Sequence, residues 1–271
     1  GGIDSTVVAA ICHEVSRRTG IPLIGRSLPT KYNKEGETTT ADLVGKAFCT
    51  DYKVCPTQEI YEDFILHIRN CEMPLGIWSG SDHQTPLANG NIQARLRMIY
   101  LYNLASIYKG IVIDTDNLTE HNLGYWTVHG DVGDFNPIGG LWKTEVFKLA
   151  EYLIIRYNIN KENDQCLAVE SSFKLKPTAG LGITNNDLEE LGAESYEQVD
   201  AILQEILAWK SFNDPDIAFK SLEEEKSAFL DEQQMLCYPI EVITAIAKRH
   251  FKSEFKRKRL PITISRYLYT R

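Results

Sequence analysis

Apolar residues recur at helical spacing near the start of the chain. Val7, Val8, Ile11, Cys12 and Val15 share one face of a helix that Gly20 and then Pro22 stop. Pro22 to Gly25, leading toward Leu28 and Pro29, reads as a short buried strand, and Lys31 to Gly36 is a polar loop. Helical spacing returns from Thr38 to Cys49, with Leu43, Val44, Ala47 and Phe48 on one face, and Tyr52 to Cys55 is a second short strand. Strand and helix alternate, which predicts a parallel sheet with crossover helices. Ile60 to Cys71 is a further amphipathic helix. Glu72 to Ala88 is rich in Gly, Ser, Asp and Pro and reads as a loop, and Asn91 to Tyr108, entered through Asn89-Gly90, is the longest helical pattern. The buried-strand run Gly110 to Ile113 delivers Asp114, Thr115, Asp116, Asn117 and then Glu120 at its carboxyl end, where open α/β sheets bind ligands. A Gly/Asp/Pro loop from Gly130 to Gly140 precedes Lys143 and an apolar helix, Val146 to Tyr157. Beyond it Ser195 to Trp209, Ala218 to Leu230 and Ile240 to Phe251 are helical patterns with no strong strand between them, a helical C-terminal flank.

Composition narrows the class. At 271 residues the chain can bury a full core, and it is read as a single domain over 1–271. No run approaches the roughly 20 apolar residues that span a bilayer, so no membrane is expected. A net charge of -8 argues against a general nucleic-acid binder and for a smaller partner. The six cysteines include no C-x-x-C and no metal-like spacing, so reduced thiols and a cytoplasmic location are expected. His13-Glu14 is followed by Arg17 where a zinc-protease helix would place its second His.

The chemistry concentrates in Gly1-Gly2-Ile3-Asp4-Ser5. Two glycines let backbone pass close to a charged group, and the amides of Asp4, Ser5 and Thr6 would open a helix toward an anion. The Ser5 and Thr6 hydroxyls add donors. Asp4 would repel phosphate unless a divalent cation lay between them, so phosphate with Mg²⁺ is one reading and a capped Gly-Gly turn the other. Arg95 and Arg97 sit in the first turns of their helix, against its dipole, which suits either an anionic ligand or a solvated face.

Taken in order, these motifs resemble those of the ammonia-dependent NAD⁺ synthetases, members of the N-type ATP pyrophosphatase superfamily. Gly1 to Ser5 is similar to the tail of the S-G-G-x-D-S loop, and Asn91-Ile92-Gln93-Ala94-Arg95-Leu96-Arg97-Met98 to the family's N-[IV]-x-A-R-x-R-M helix. Thr115-Asp116-Asn117 with Glu120, Gly124-Tyr125, Gly130-Asp131, Asn136-Pro137-Ile138 with Lys143, and Pro177-Thr178-Ala179 follow the same series. The resemblance implies an α/β fold, a doubly wound parallel sheet of the adenine-nucleotide α-hydrolase (Rossmann-like) type with a helical C-terminal flank and a first strand ahead of Gly1. It implies amidation of deamido-NAD by ammonia through an adenylated intermediate, giving NAD⁺, AMP and pyrophosphate, in a homodimer. Gly1, Gly2, Ile3, Asp4, Ser5, Thr115, Lys143 and Thr178 match ATP contacts, and Asp4 and Glu120 match Mg²⁺ ligands. Arg95, Asp134 and Lys256 match groups that hold deamido-NAD. Asp131 and Lys143 match catalytic positions, Asp131 suited to hold ammonium and take its proton.

The chain also departs from the family's pattern. Ser27-Leu28-Pro29 stands where many members have Arg-Leu-Pro, with Arg26 one place earlier. Val128 replaces a Lys and Phe255 a His, both usually aimed at deamido-NAD, and the loop from Asp131 to Asp134 is one residue shorter. Two alternatives remain: another N-type ATP pyrophosphatase, which would call for paired cysteines and a basic surface, and a nucleotide-binding module with a decayed site.

Overall fold

Ile24–Ser27 (β1) and Asp51–Val54 (β2) pair in parallel, Ile24 opposite Asp51 and Ser27 opposite Val54. Between and before them run the helices Glu35–Phe48 (α2) and Ile3–Thr19 (α1), so the predicted alternation is present. The computed structural model describes residues 1–33, 35–72, 84–175, 187–212, 222–232 and 237–258. Its other helices are α3 (Gln58–Glu72), α4 (Gln84–Tyr108), α5 (Leu118–Leu123), α6 (Lys143–Ile159), α7 (Asn163–Phe173), α8 (Asp187–Leu191), α9 (Tyr196–Phe212), α10 (Leu222–Glu232), α11 (Ile240–Lys252) and α12 (Glu254–Arg257). Among the described residues no helix is long and apolar enough to cross a membrane.

Three local expectations change. The residues from Gln84 to Ala88 belong to α4, not to a loop, because Pro86 falls in the first turn, where its missing N–H is no loss. The strand expected at Gly110 to Ile113 is reduced to one parallel bridge between Ile113 and Phe135. There the Val112 amide donates to the Asp134 carboxylate at 2.9 Å instead of to a neighbouring strand, which shortens the ladder. Finally, α7 was not anticipated, since Ala168 and Val169 give its buried face little hydrophobic contrast.

Among the described residues two large apolar clusters make up most of the interior. One joins α1, α2, α6 and α7 through Val7, Phe48, Val146, Ala150 and Val169. The other joins α5, α9, α10 and α11 through Leu123, Ile202, Ile206, Phe229 and Ile246. Within α11 the buried residues Val242, Ile243, Ile246, Ala247, His250 and Phe251 follow the helical period, as its sequence predicts. The clusters approach each other just ahead of α6, where Leu141 packs against the first and Trp142 against the second. Lys143 is the next residue.

Candidate functional site

The first turn of α1 builds one wall. Gly2 caps it in an extended conformation, leaving the amides of Ile3, Asp4 and Ser5 without intrahelical acceptors. Thr6 differs from expectation: its amide donates to the Gly2 carbonyl at 3.1 Å and its hydroxyl to the same oxygen at 2.9 Å. Ser5 Oγ also donates there, at 3.0 Å. The glycine at position 1 is sterically required, because a Cβ there would lie 2.6 Å from the Glu37 carbonyl oxygen and 2.7 Å from the Ala41 nitrogen of α2.

Lys143, the first residue of α6, reaches this wall from the opposite side. Its ammonium is 2.5 Å from Asp4 Oδ2 and 3.2 Å from Glu120 Oε1, and its side chain is only 2% exposed. Burial alone would disfavour its charge, but Glu120 and Asp4 outweigh burial and raise its pKa, so it is an ammonium. Its Nζ also lies 5.6 Å from the Tyr196 ring centre. Glu120 and Asn117 form a capping box at the start of α5, in which Glu120 N donates to Asn117 Oδ1 at 3.0 Å and Asn117 N to Glu120 Oε2 at 3.2 Å. Asn117 Nδ2 in turn donates to Asp4 Oδ1 at 2.9 Å. A local helix cap thereby aims both carboxylates at one ammonium.

Further acidic groups lie in the loops that follow, of which Asp131 lines the cleft. Asp114 folds the loop on itself, accepting from the Asp116 amide at 2.8 Å and the Gly133 amide at 2.9 Å. Gly133 lies so close that a Cβ would be 2.6 Å from the Asp114 nitrogen. Burial, reinforced by Glu120 and Asp114, pushes the Asp116 carboxyl up to about 9. Asp131 accepts from the Thr127 amide at 2.6 Å, and burial raises its pKa too. A cleft of about 510 Å³ connects these parts. Gly1 to Ser5, Thr115, Glu120, Asp131 and Lys143 line it together, so most of the predicted ATP, metal and catalytic set converges.

The predicted dinucleotide set does not line this cleft. Arg95 is exposed and donates to the Val128 carbonyl through Nε at 3.3 Å and NH2 at 3.1 Å. Asp134 accepts from the Val112 amide and, at 3.2 Å, from the Tyr102 hydroxyl. Lys256 donates to the carbonyls of Gly124 (2.6 Å) and Trp126, and Arg257 donates to those of Asn122 and His250. The start of the basic C-terminal run is therefore a clamp on α5 and α11. Thr178 and Arg259 lie outside the described residues.

Residues outside the expected ATP, metal, dinucleotide and catalytic sets also take part. Arg97, two places after Arg95 and so on another side of α4, lines the cleft and donates to the Leu28 carbonyl at 3.2 Å. Arg26 turns inward onto Asp51 at 2.8 Å. Asn117 was legible as the cap in N-x-x-E. Glu37 and Asp187, which also line the cleft, come from the first turns of α2 and α8 with no local signal of that kind.

Comparison with known proteins follows the same line. The NAD synthase family model matches residues 1–260. The NH(3)-dependent NAD(+) synthetase of Methanococcoides burtonii is 34% identical over 209 residues, 77% of this chain and 70% of that protein. Its counterpart from Campylobacter jejuni strain 81-176 is 31% identical over 201 residues, covering 74% and 70%. Among solved structures, the NMN synthetase of Francisella tularensis superposes with a TM-score of 0.66 at 26% identity over 98% of this chain and 85% of that one. The NH3-dependent NAD synthetase of C. jejuni gives 0.60 at 24% identity, covering 97% and 86%. These likenesses establish the Rossmann-like adenine-nucleotide α-hydrolase fold, to which the parallel pair and helical flank conform.

Proposed function

Since the chain belongs to the NAD synthase family, we propose that its cleft performs the ATP-dependent amidation of deamido-NAD by ammonia. The observation that carries this reading is the Lys143 ammonium, held by Asp4 and Glu120 beside the open amides of α1. A carboxylate oxygen of the substrate attacks the α-phosphorus of ATP, the bond to the bridging oxygen breaks, and pyrophosphate departs. The amides of Ile3, Asp4 and Ser5 receive that charge, and Lys143 adds its own. Ammonia then attacks the acyl carbon and AMP leaves with the bond electrons. Asp131, partly buried and so more basic than an ordinary carboxylate, holds the ammonium and takes its proton.

The residues present suit Mg²⁺. Among the described residues no group of three or more metal-type side chains forms, but Asp4 and Glu120, which converge on the Lys143 ammonium, are carboxylates of the kind that would hold Mg²⁺, which binds through one or two carboxylates plus phosphates. Bound there, it would supply charge neutralisation on the triphosphate. A homodimer is part of the same reading. Ile99 (66% exposed) and Tyr102 on α4, with Ile111 and Phe135 on the following segments, leave an apolar surface suited to a second copy.

A second reading concerns the size of the amidated substrate. Arg95, Asp134 and Lys256, the groups expected on a dinucleotide, are all engaged within the chain, and the NMN synthetase superposes over nearly all of it. The same chemistry would then act on nicotinate mononucleotide. Phosphorus NMR with ATP, Mg²⁺, ammonium and each substrate tests both. AMP and pyrophosphate are expected; ADP with inorganic phosphate would refute adenylation, and the ratio of kcat/KM values would decide the substrate.

A further inference from the structure

The start of α6 draws only part of its cap from its own residues: Glu145 Oε2 accepts from the Trp142 amide at 2.9 Å, but the amides of Lys143 and Thr144 find no acceptor on α6 itself. Trp142 occupies the N-cap position and its indole has no acceptor to offer the first amides. Two residues from other elements do that work. Thr119 Oγ1, on α5, accepts from the Lys143 amide at 2.8 Å. Asp200 Oδ2, on α9, accepts from the Thr144 amide at 3.0 Å. Thr119 then donates its hydroxyl proton to Asp200 Oδ1 at 2.5 Å, which closes the set. Both are almost wholly buried, Thr119 1% and Asp200 2% exposed.

We propose that Thr119 and Asp200 are positioning residues for Lys143. The inference rests on the functional reading above, in which the Lys143 ammonium meets the departing pyrophosphate. Lys143 is tied to α5 twice, through its backbone amide to Thr119 and through its ammonium to Glu120, the adjacent residue. One hydroxyl therefore sets the distance from the α6 backbone to the α5 backbone on either side of the ion pair. Asp200 holds that hydroxyl in the rotamer that accepts from Lys143, because its carboxylate can only accept and so makes Thr119 the donor. Without the tie, the ammonium could still reach a carboxylate through its flexible stem. It would do so from a backbone free to shift, and positional precision at a charge-developing site is worth far more in the transition state than in ground-state binding.

Thr119→Val keeps the shape of the side chain and removes the hydroxyl. In the AMP-release assay, kcat is expected to fall about ten- to a hundredfold while KM for ATP stays within about twofold. Thr119→Ser, which restores the hydroxyl, should recover most of the loss. On a Lys143→Met background Thr119→Val should cost almost nothing further, since there is no ammonium left to position. Should Thr119→Val not yield folded protein, Asp200→Asn provides the same comparison, and Asp200→Asn with Lys143→Met the same background. Wild-type kcat in the first variant, a loss expressed only in KM, or an undiminished loss on the Lys143→Met background would each overturn the proposal. No AMP from the unmodified enzyme would instead refute the functional reading on which it rests.

Discussion

At the scale of single residues the site is an arrangement of charges that would be unfavourable apart. Lys143 is buried because Asp4 and Glu120 accompany it, and breaking such a set costs about 3 to 5 kcal/mol when a charge is left behind. Lys143→Met should therefore leave two carboxylates facing each other, lower Tm without Mg²⁺, and lose roughly a hundredfold or more in kcat. Its Tm should also rise more on adding Mg²⁺ than that of the unmodified protein; calorimetry at fixed ATP-free conditions measures both arms. His250 behaves differently. It is 1% exposed, its Nδ1 pairs with the Asn122 carbonyl at 3.0 Å, and Nε2 has no hydrogen-bond partner among the described residues. Burial, with Arg257 and Lys210 nearby, lowers its pKa from 6.5 to about 3. The unfolded chain thus binds the proton more readily, so full stability is present above pH 6.5 and is lost as pH falls toward about 3. His250→Gln should flatten that part of the acid-unfolding curve, as followed by circular dichroism between pH 7 and 4. Asp4, Glu120 and Lys143 were legible because their motifs are local. The Thr119–Asp200 pair was not, since its partners are separated by 81 positions and each is an ordinary residue in its own segment.

At the scale of elements, what the sequence shows depends on how each helix is buried. α11 has a polar side and an apolar side and was readable; α7 presents Ala168, Val169 and Ser172 to its neighbours and was not. The buried strand expected from Gly110 to Ile113 is instead one bridge with Ile111 62% exposed, because whether such a run becomes a ladder depends on which acceptor reaches Val112, and Asp134 does so. α4 raises a separate question, because Ala94 and Met98 are buried while Ile99 and Ile107 are exposed at 66% and 64%. An apolar face in that state is suited to a second subunit. Ile99→Asp should shift the species seen in sedimentation velocity at micromolar concentration from dimer to monomer; an unchanged dimer would remove α4 from the interface.

For the whole molecule, the point of interest is the junction at residues 141–143. Leu141 belongs to one apolar cluster and Trp142 to the other, and the ammonium follows immediately. The buried ammonium is thereby referenced to both interiors at once. Loosening the C-terminal flank should disturb it even though that flank contributes few of the cleft's described walls. Phe229→Ala, which empties a fully buried position in the second cluster, should cost about 3 to 5 kcal/mol. Activity should then be lost at a lower denaturant concentration than the structure of the first cluster, as followed by fluorescence and turnover on the same sample. Coincident loss would show that the two interiors melt as one.

The same junction changes how genetic variation in this chain would be interpreted. In a growth-based screen that depends on the enzyme, loss-of-function alleles would gather not only at Asp4, Glu120 and Lys143 but also along the inward faces of α9, α10 and α11. Alleles at Ile202, Phe229 or Ile246 would look catalytic by phenotype although no substrate atom need come near them. Suppressors of such alleles should map to the opposite interior or to the junction itself, because a compensating shift of Leu141 or Trp142 restores the same lysine to the same place.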